Sequence, residues 1–358
     1  MSTKCAAEKM RSTRKTLAYK HTQGCATSAA CVREPTTSTE GAQPLLACTE
    51  CLRGCRASCS LPGEMRVGVS TAHLLAAHTA LGSALDHLAA LAPDCIAVAA
   101  GEPEPLAKAL IAALRKTQVP LQALEAFAPG PRPNQGPSLC ALDHDERAHA
   151  VMYAERSLRV ASELGIPCVV LCLGRMPLAL DLTTLFEPFS RAELTADLLA
   201  EARSERSARA PKHLAKAESV LEHLLKLAER LGVRLALVNR PGHDEIPLPE
   251  EAALLLREFQ GAPLGTFFDT AAAYTQDLVG ITPLEASLEA FAAHALGVHL
   301  TDAAGPVRGL PPGIGEVDFA AFRGKFPGDA PLFAHCAPRS QRHEVEQALA
   351  AMRTVFSG

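Results

Sequence analysis

One carboxylate and two imidazoles stand in or directly beside short apolar runs in the C-terminal half of the chain. Asp269 ends one such run, His299 lies inside a second, and His335 follows a third. A buried carboxylate needs a cation or hydrogen-bond donors, and two imidazoles with one carboxylate suit Zn, Mn or Fe. The sequence therefore predicts a divalent metal site at Asp269, His299 and His335, with His335 also able to act as a catalytic acid or base.

Each of these residues also has an ordinary structural interpretation. Asp269 could cap the helix that follows it, because an aspartate oxygen accepts hydrogen bonds from the free backbone N–H groups of a first helical turn. His299 and His335 could be hydrogen-bonded core residues. The sequence leaves both interpretations open beside the metal site.

Four further polar residues lie at or near the ends of predicted strands and could line a substrate pocket: His73, Glu125, Asn239 and Arg240. Asn239 and Arg240 could bind a hydroxyl or phosphate group, although Arg240 could equally form a surface salt bridge. His73 and Glu125 could be structural. The chain has no Gly-x-Ser-x-Gly elbow, Walker loop or His-Glu-x-x-His motif, so the chemistry of those motifs is not indicated.

These residues need a scaffold that brings strand ends together. Short aliphatic runs alternate with amphipathic segments from residue 65 onward, and eight β/α units over roughly 290 residues are typical of a closed (β/α)8 barrel. Active groups of such a barrel project from the C-terminal strand ends. The predicted strands are Met65–Ser70, Cys95–Ala99, Leu121–Phe127, Cys168–Cys172, Arg234–Asn239, Leu264–Asp269, Gly297–Thr301 and Leu332–His335.

The segments between these runs have helical spacing. The connection from Gly174 to Ala210 is long for a βα loop, and it contains a helical piece, Ala192–Arg203, that we expect to cover the C-terminal face. The other predicted helices are Leu81–Leu91, Pro105–Arg115, Asp145–Leu164, Lys212–Leu231, Pro249–Phe259, Pro283–Ala295, Val317–Phe326 and Ser340–Phe356.

Composition narrows the class of protein. The 358 residues are 48% hydrophobic and 21% charged, which excludes disorder throughout. No apolar run reaches the roughly 18 residues that span a bilayer. The formal net charge of -4 gives no basic field for nucleic acid. We therefore expect neither a membrane nor nucleic acid as a partner.

Residues 1–64 differ from the rest, and we expect them to form a low-order extension ahead of a barrel over 65–358. They hold nine Lys or Arg against five Asp or Glu, whereas the remainder holds 26 against 34. Apolar periodicity is scarce there, and no secretory apolar stretch follows the basic start, so the sequence predicts a cytoplasmic protein whose thiols are mostly free.

The extension also holds a run of thiols, Cys48, Cys51, Cys55 and Cys59. Thiolates at this spacing could bind Zn or an iron–sulfur cluster. The favoured interpretation is nevertheless a dispensable tail, or a protein that starts at Met65, because a strand pattern begins directly there.

Five segments carry a family resemblance: MRVGVSTAHL, RLALVNRPGHDEIPLPEEAALLLREF, LGTFFDTAAAY, GVHLTDA and LPPGIGEVDFAAF. From Met65 to its end the chain resembles the xylose isomerase-like TIM barrels, which include sugar phosphate isomerases/epimerases and the apurinic endonuclease type 2 domain. The resemblance implies a metal-dependent isomerisation or epimerisation of a small carbohydrate.

Catalytic members of that family hold one divalent ion by Glu on strand 5, Asp on strand 6, His on strand 7 and Glu on strand 8. Asp269 and His299 match this pattern, but the strand 5 glutamate falls on Val238 and the strand 8 glutamate on His335. A histidine that follows the strand 6 Asp falls on Ala272. Two-base epimerisation needs a base on each face of the substrate carbon, and Val238 removes one of them.

Two functions remain open beside a disfavoured third. The first is a sugar isomerase or epimerase with a degenerate metal site, which leaves a one-base isomerisation with His335. The second is a non-catalytic barrel that binds a carbohydrate-like ligand and has lost the acid/base pair. An abasic-site endonuclease is disfavoured, because that chemistry in the family uses many His and acidic ligands and because the acidic barrel would repel DNA.

Overall fold

Eight parallel strands close into a barrel in the computed structural model, which describes residues 65–74, 81–99, 112–128, 136–338 and 340–357. The predicted (β/α)8 TIM barrel is thereby confirmed. In order around the barrel, the strands are β1 (Val67–Ser70), β2 (Ile96–Val98), β3 (Leu121–Glu125), β4 (Cys168–Leu171), β5 (Arg234–Val238), β6 (Leu264–Asp269), β7 (Ala295–Leu300) and β10 (Leu332–Ala334), which pairs with β1.

Helices surround this barrel, and an antiparallel hairpin of β8 (Asp302–Ala304) and β9 (Val307–Leu310) follows β7. The helices are α1 (Leu81–Ala90), α2 (His144–Leu164), α3 (Leu182–Ser190), α4 (Ala196–Leu231), α5 (Pro249–Glu258), α6 (Thr270–Leu278), α7 (Leu284–Phe291) and α8 (Arg342–Phe356). Short 3-10 turns cover Thr71–Leu74, Ala292–His294 and Phe319–Phe322.

The ends of the longer helices follow from local sequence. The Asp143 side chain accepts a hydrogen bond from Glu146 N at the start of α2, and Gly165 ends that helix with a φ of 69°. Thr195 caps α4 in the same way, and Gly232 ends it with a φ of 66°. A positive φ costs glycine nothing, so both stops are encoded by residue type.

Helix α4 joins two segments that the sequence analysis kept apart. The predicted piece Ala192–Arg203, from Ala196 onward, and the predicted helix Lys212–Leu231 belong to one helix of 36 residues, which runs through Pro211. Its N-terminal half is anchored by Arg206, whose guanidinium binds both carboxylate oxygens of Glu251 at 2.7 and 2.8 Å in a buried pair. Tertiary contacts of this kind outweigh the cost of an interior proline.

Several other predicted helices also differ from those of the structure. Helices α3 and α6 were not predicted, and the predicted helix Val317–Phe326 is only the 3-10 turn Phe319–Phe322. The predicted helix Pro105–Arg115 lies outside the described residues except for its last residues, of which 112–114 are helical.

Within the described residues, no helix is both long enough and apolar enough to cross a membrane.

The barrel interior is filled by small residues and two aromatic rings. Phe267 and Phe333 stack there with ring centroids 6.0 Å apart and an interplanar angle of 15°. Gly297 lies beside them, and a Cβ at this position would run into both rings. Among the described residues, these rings fill the middle of the barrel, and the last inward positions of the strands at the mouth stay open to a ligand.

The loop between β9 and the Phe319–Phe322 turn is organised by Asp302. This fully buried carboxylate accepts hydrogen bonds from the backbone N–H groups of Gly313, Gly315 and Val317 at 2.8, 2.8 and 3.1 Å, and from that of Ala303 at 2.8 Å. The segment GIGEV thus wraps around one side chain at the end of β7.

Replacing Asp302 with Ala leaves four backbone N–H groups without this acceptor. We expect the free energy of unfolding to fall by at least roughly 3 kcal/mol, since each unpaired buried donor is costly. Urea denaturation measures the change. The matched control is Asp318→Ala, which removes an exposed carboxylate that accepts one hydrogen bond, from Ala320 N at 3.0 Å, and should cost about 1 kcal/mol. Equal effects of the two substitutions would contradict this role of Asp302.

Candidate active site at the barrel mouth

Three potential metal ligands meet at the C-terminal mouth of the barrel. One ligand atom each from Glu125, His299 and His335 lies within 4.8 Å of the other two. Glu125 Oε1 is 3.6 Å from His299 Nε2 and 3.9 Å from His335 Nδ1, and the two imidazole centroids are 4.3 Å apart. We call these three residues the mouth triad.

Strand alternation brings the triad together. Successive side chains of a strand point to opposite faces, so Glu125 stands two residues beyond the interior Ala123, and His335 stands two beyond the interior Phe333. His299 pairs directly with Phe333, because β7 and β10 are neighbours. Strand β3 lies on a different side of the closed sheet, so Glu125 reaches the two imidazoles across the mouth.

The facing atoms of the triad have no hydrogen-bond partner. Glu125 Oε1, His299 Nε2 and His335 Nδ1 are all buried and unpaired among the described residues. Burial raises the pKa of the Glu125 carboxyl, an effect that the nearby His335 and Arg240 oppose. Burial, together with the charges of His335 and Arg240, holds the pKa of His299 well below its usual range. Buried polar atoms are normally satisfied, so the triad lacks a partner.

Asp269 lies at the mouth but points its carboxylate elsewhere. Its Oδ1 accepts a hydrogen bond of 2.8 Å from Ala272 N and so caps α6, and its Oδ2 accepts one of 3.4 Å from the Thr301 hydroxyl. Of the three predicted metal ligands, the structure thus brings His299 and His335 together with Glu125, while Asp269 has the capping contacts that were its alternative interpretation.

Asn239 joins the ends of two strands. Its Nδ2 donates to the Asp269 carbonyl at 2.9 Å, and its Oδ1 accepts from the Asp269 N–H at 2.6 Å. These reciprocal bonds replace the next rung of the ladder between β5 and β6. The amide of Asn239 is therefore committed to the backbone, and its predicted contact with a substrate remains a prediction.

Arg240 is a buried cation on the same side of the mouth. Its side chain is 18% exposed, and its Nε donates to Glu245 Oε1 at 3.0 Å. Glu245 is itself 7% exposed and accepts a second hydrogen bond from Gly242 N at 2.9 Å. Arg240 is therefore held in an ion pair whose geometry is fixed by the loop after β5, and its charge acts on Glu125 and His299 at the mouth.

His73 follows β1 and lies on the His335 side of the mouth. Its Nδ1 donates to the Ser70 carbonyl at 2.9 Å, which leaves the lone pair on Nε2, and Nε2 is buried without a partner among the described residues. Burial, with the charges of His87 and His335, lowers the pKa of His73 to about 4, despite the opposing Ser70 bond. His73 is therefore a neutral imidazole near pH 7.

The sequence analysis missed two residues of the mouth and the main contacts of a third. Glu125 was expected to line the pocket, and the inward alternation from Ala123 was the signal that could have placed it with the two histidines. Cys172 continues the same alternation beyond β4, and its thiol lies near Arg240. Arg308 stands on β9, in a hairpin whose strands are too short to give a periodic signal.

The five described cysteines, Cys95, Cys140, Cys168, Cys172 and Cys336, are all free thiols. The thiol run Cys48, Cys51, Cys55 and Cys59 lies outside the described residues.

The neutral state of His73 makes stability depend on pH. The unfolded chain takes up a proton near pH 6.5, but the folded protein does so only near pH 4. The unfolded state thus binds more protons between these values, and the free energy of unfolding should fall as pH is lowered from 6.5 to 4, by up to about 3 kcal/mol from His73.

Urea denaturation at pH 7, 5.5 and 4.5, with EDTA present, tests this expectation. His73→Gln should flatten the pH dependence, whereas replacing the exposed His144 with Gln should leave it unchanged. An identical slope in His73→Gln and the parent protein would refute the assignment.

Comparisons with known proteins agree with this architecture. Residues 85–354 match the family model of the xylose isomerase-like TIM barrel. A putative xylose isomerase from Rhodospirillum rubrum superposes with a TM-score of 0.61 at 15% identity, over 82% of this chain and 99% of that one. A D-allulose 3-epimerase from Methylomonas sp. gives 0.58 at 14% identity, over 82% and 99%.

A protein from Thermus thermophilus, in crystals soaked with ZnCl2, gives a TM-score of 0.54 at 20% identity, over 82% of this chain and 98% of that one. A search of curated proteins found no match. At these identities the structural likeness establishes the fold alone. The family model, however, matches well over half of the chain, and the chain therefore belongs to the xylose isomerase-like TIM-barrel family.

Proposed function

We propose that this protein is a sugar isomerase or epimerase-type enzyme that works with a divalent metal ion at the mouth triad. The supporting observation is the set of three facing ligand atoms, from Glu125, His299 and His335, that are buried within 4.8 Å of one another and have no partner among the described residues. The substrate class is a small carbohydrate, as for the epimerases of similar fold.

The triad suits a metal ion chemically. Neutral imidazoles and a carboxylate are ligands of Zn, Mn and Fe, and the burial that disfavours a charged His299 keeps that ring in its ligating form. The same burial disfavours a lone Glu125 carboxylate, which a divalent cation would stabilise. When bound, such an ion would polarise a sugar oxygen as a Lewis acid.

His335 is the best candidate for proton transfer. Its side chain is 21% exposed, against 5% for His299, so a substrate carbon can approach it more readily. The chain offers no second base at the position implied by the family, because Val238 is buried in the barrel interior beside Phe267. A ring nitrogen that binds the ion cannot also take up a proton. In the one-base isomerisation that we favour, Glu125 and His299 would therefore hold the ion, and the free His335 imidazole takes a proton from one carbon and returns it to the next.

The inward residues of β5 support a second function, that of a non-catalytic binding protein. Both inward side chains of β5, Ala236 and Val238, are apolar, so neither can act as an acid, a base or a ligand. If the barrel has lost its acid/base pair, the mouth binds a carbohydrate-like ligand without converting it. The cytoplasmic location expected from the sequence belongs to either proposal, and the free thiols of the barrel are consistent with it.

A metal-binding measurement distinguishes the mouth triad from the ligands predicted by the sequence, which include Asp269 in place of Glu125. Titration of EDTA-treated protein with Mn²⁺, followed by electron paramagnetic resonance, should give one site per chain. Mn²⁺ is chosen because thiolates select softer metals, which keeps the thiols of residues 1–64 out of the measurement. Glu125→Gln should weaken Mn²⁺ binding by at least about tenfold, since it removes an anionic ligand.

The matched control is Asp269→Asn, which removes a carboxylate that caps α6. It should lower stability by roughly 1 kcal/mol and leave Mn²⁺ affinity nearly unchanged. The reverse pattern, with Mn²⁺ binding lost in Asp269→Asn and kept in Glu125→Gln, would support the ligands predicted from the sequence, Asp269, His299 and His335.

Solvent deuterium exchange tests turnover. Incubation of the Mn²⁺-loaded protein in D2O with a panel of ketoses and aldoses should place deuterium beside the carbonyl carbon of at least one sugar, and His335→Gln should reduce the rate by roughly 100-fold or more. Exchange into none of the sugars, with Mn²⁺ bound, would favour the binding protein.

A further inference from the structure

Two histidines that do not belong to the mouth triad lie side by side. His73 is in the 3-10 turn that follows β1, and His87 is in the last turn of α1. Their ring centroids are 5.8 Å apart, and the ring planes are inclined at 52° to each other. We call His73 and His87 the histidine pair.

Each ring of the histidine pair has a buried nitrogen that lacks a hydrogen-bond partner among the described residues. These atoms are His73 Nε2 and His87 Nε2. A buried polar atom without a partner is costly, and such atoms are rare in folded proteins. Two of them on neighbouring rings therefore indicate one missing partner that both rings share.

The hydrogen bond of the other His73 nitrogen shows what this partner must be. His73 Nδ1 donates to the Ser70 carbonyl at 2.9 Å, so Nε2 carries a lone pair and no proton. Histidines that bind metals donate their second ring N–H to a carbonyl or carboxylate in the same way, which fixes the tautomer and the orientation of the ring. The missing partner of His73 is therefore a hydrogen-bond donor or a cation.

The separation of the two rings fits a single ion that both of them bind. A Zn–N bond of about 2.0–2.1 Å puts the ion roughly 3.2 Å from each ring centroid, and a tetrahedral angle at the ion then puts the centroids about 5.2 Å apart. The observed separation is 5.8 Å. It corresponds to a slightly wider angle at the ion.

The charges around the histidine pair are compatible with a bound cation. Burial and the charge of Arg342 lower the pKa of His87, against the opposing charge of Glu346. Arg342 Nε donates to Glu346 Oε1 at 2.7 Å, so this positive charge is balanced by its own partner. Since the pKa of His73 is also lowered, both rings are mostly neutral at pH 7, and neutral imidazole is the form that binds metals.

We propose that the histidine pair is a metal site of its own, which binds Zn²⁺ through the two Nε2 atoms and leaves the other coordination positions to water. Imidazole ligands suit Zn²⁺, whereas Mn²⁺ prefers carboxylates and water, so the pair does not add to the Mn²⁺ binding expected of the mouth triad. An ion at this site would tie α1 to the turn after β1.

A Zn²⁺ titration of the full chain, followed by NMR of ¹⁵N-labelled histidine rings, tests this site. The ring nitrogens are observed directly and a zinc buffer sets the free Zn²⁺ concentration, so zinc bound by thiols does not disturb the measurement. We expect the Nε2 signals of His73 and His87 to shift together over one range of Zn²⁺ concentration. Unchanged signals of both rings would overturn the site and leave a bridging water as the missing partner.

Reciprocal substitutions test whether the two rings bind the same ion. His87→Gln should weaken the Zn²⁺ response of His73 by at least about tenfold, and His73→Gln should do the same to His87, because each removes a ligand. The matched control is His144→Gln, which removes an exposed imidazole and should leave both responses unchanged. A response of His73 that persists in His87→Gln would refute a shared ion.

The outcome is independent of that of the proposed function. Glu125→Gln removes a ligand of the mouth triad and should leave the Zn²⁺ response of the histidine pair unchanged. Mn²⁺ binding at the triad without a Zn²⁺ response of the pair would reject this site and leave the proposed enzyme intact. A response of the pair without Mn²⁺ binding at the triad would support this site and count against the enzyme.

Discussion

The inward side chains of eight strands share one narrow cylinder, and the rest of the site depends on how that volume is divided. Phe267 and Phe333 occupy the middle of it, which is possible because β7 has Gly297 at the same level. An aromatic filling excludes water and polar groups from the lower barrel. Glu125, His299 and His335 stand at the last inward positions above this filling, so that any chemistry is confined to the mouth.

The Asp269 carboxylate caps a helix and therefore does not also face the two imidazoles. Helix α6 begins immediately after β6, so its first free N–H groups lie beside Asp269, and Asn239 holds the Asp269 backbone from the other side. This arrangement satisfies a helix terminus and extends the sheet by one rung. The carboxyl group that faces the two imidazoles comes instead from Glu125, which reaches them from a different part of the barrel.

The sequence predicted the barrel well because apolar residues recur with different periods in strands and in helices. The chain alternates the two patterns over eight β/α units. The sequence also predicted His299 and His335 at strand ends, because both lie in or beside short apolar runs that alternate with helical segments. It could not join Ala192–Arg203 to Lys212–Leu231 across Pro211, because the buried ion pair of Arg206 with Glu251 is a contact between distant residues. The sequence also did not bring Glu125 to the imidazoles, because that contact depends on the closure of the barrel. It did not place Arg308 at the rim, because the strands of its hairpin are too short to give a periodic pattern.

The rim beside β7 is built before any ligand arrives. Asp302 gathers four backbone N–H groups, and Glu316 accepts hydrogen bonds from the Tyr274 hydroxyl and, at 3.0 Å, from Gly305 N. A wall held at so many points does not have to become ordered when a molecule enters, so association avoids the entropy cost of immobilising a loose segment. Discrimination among ligands on this side of the mouth then depends on a shape that is already in place.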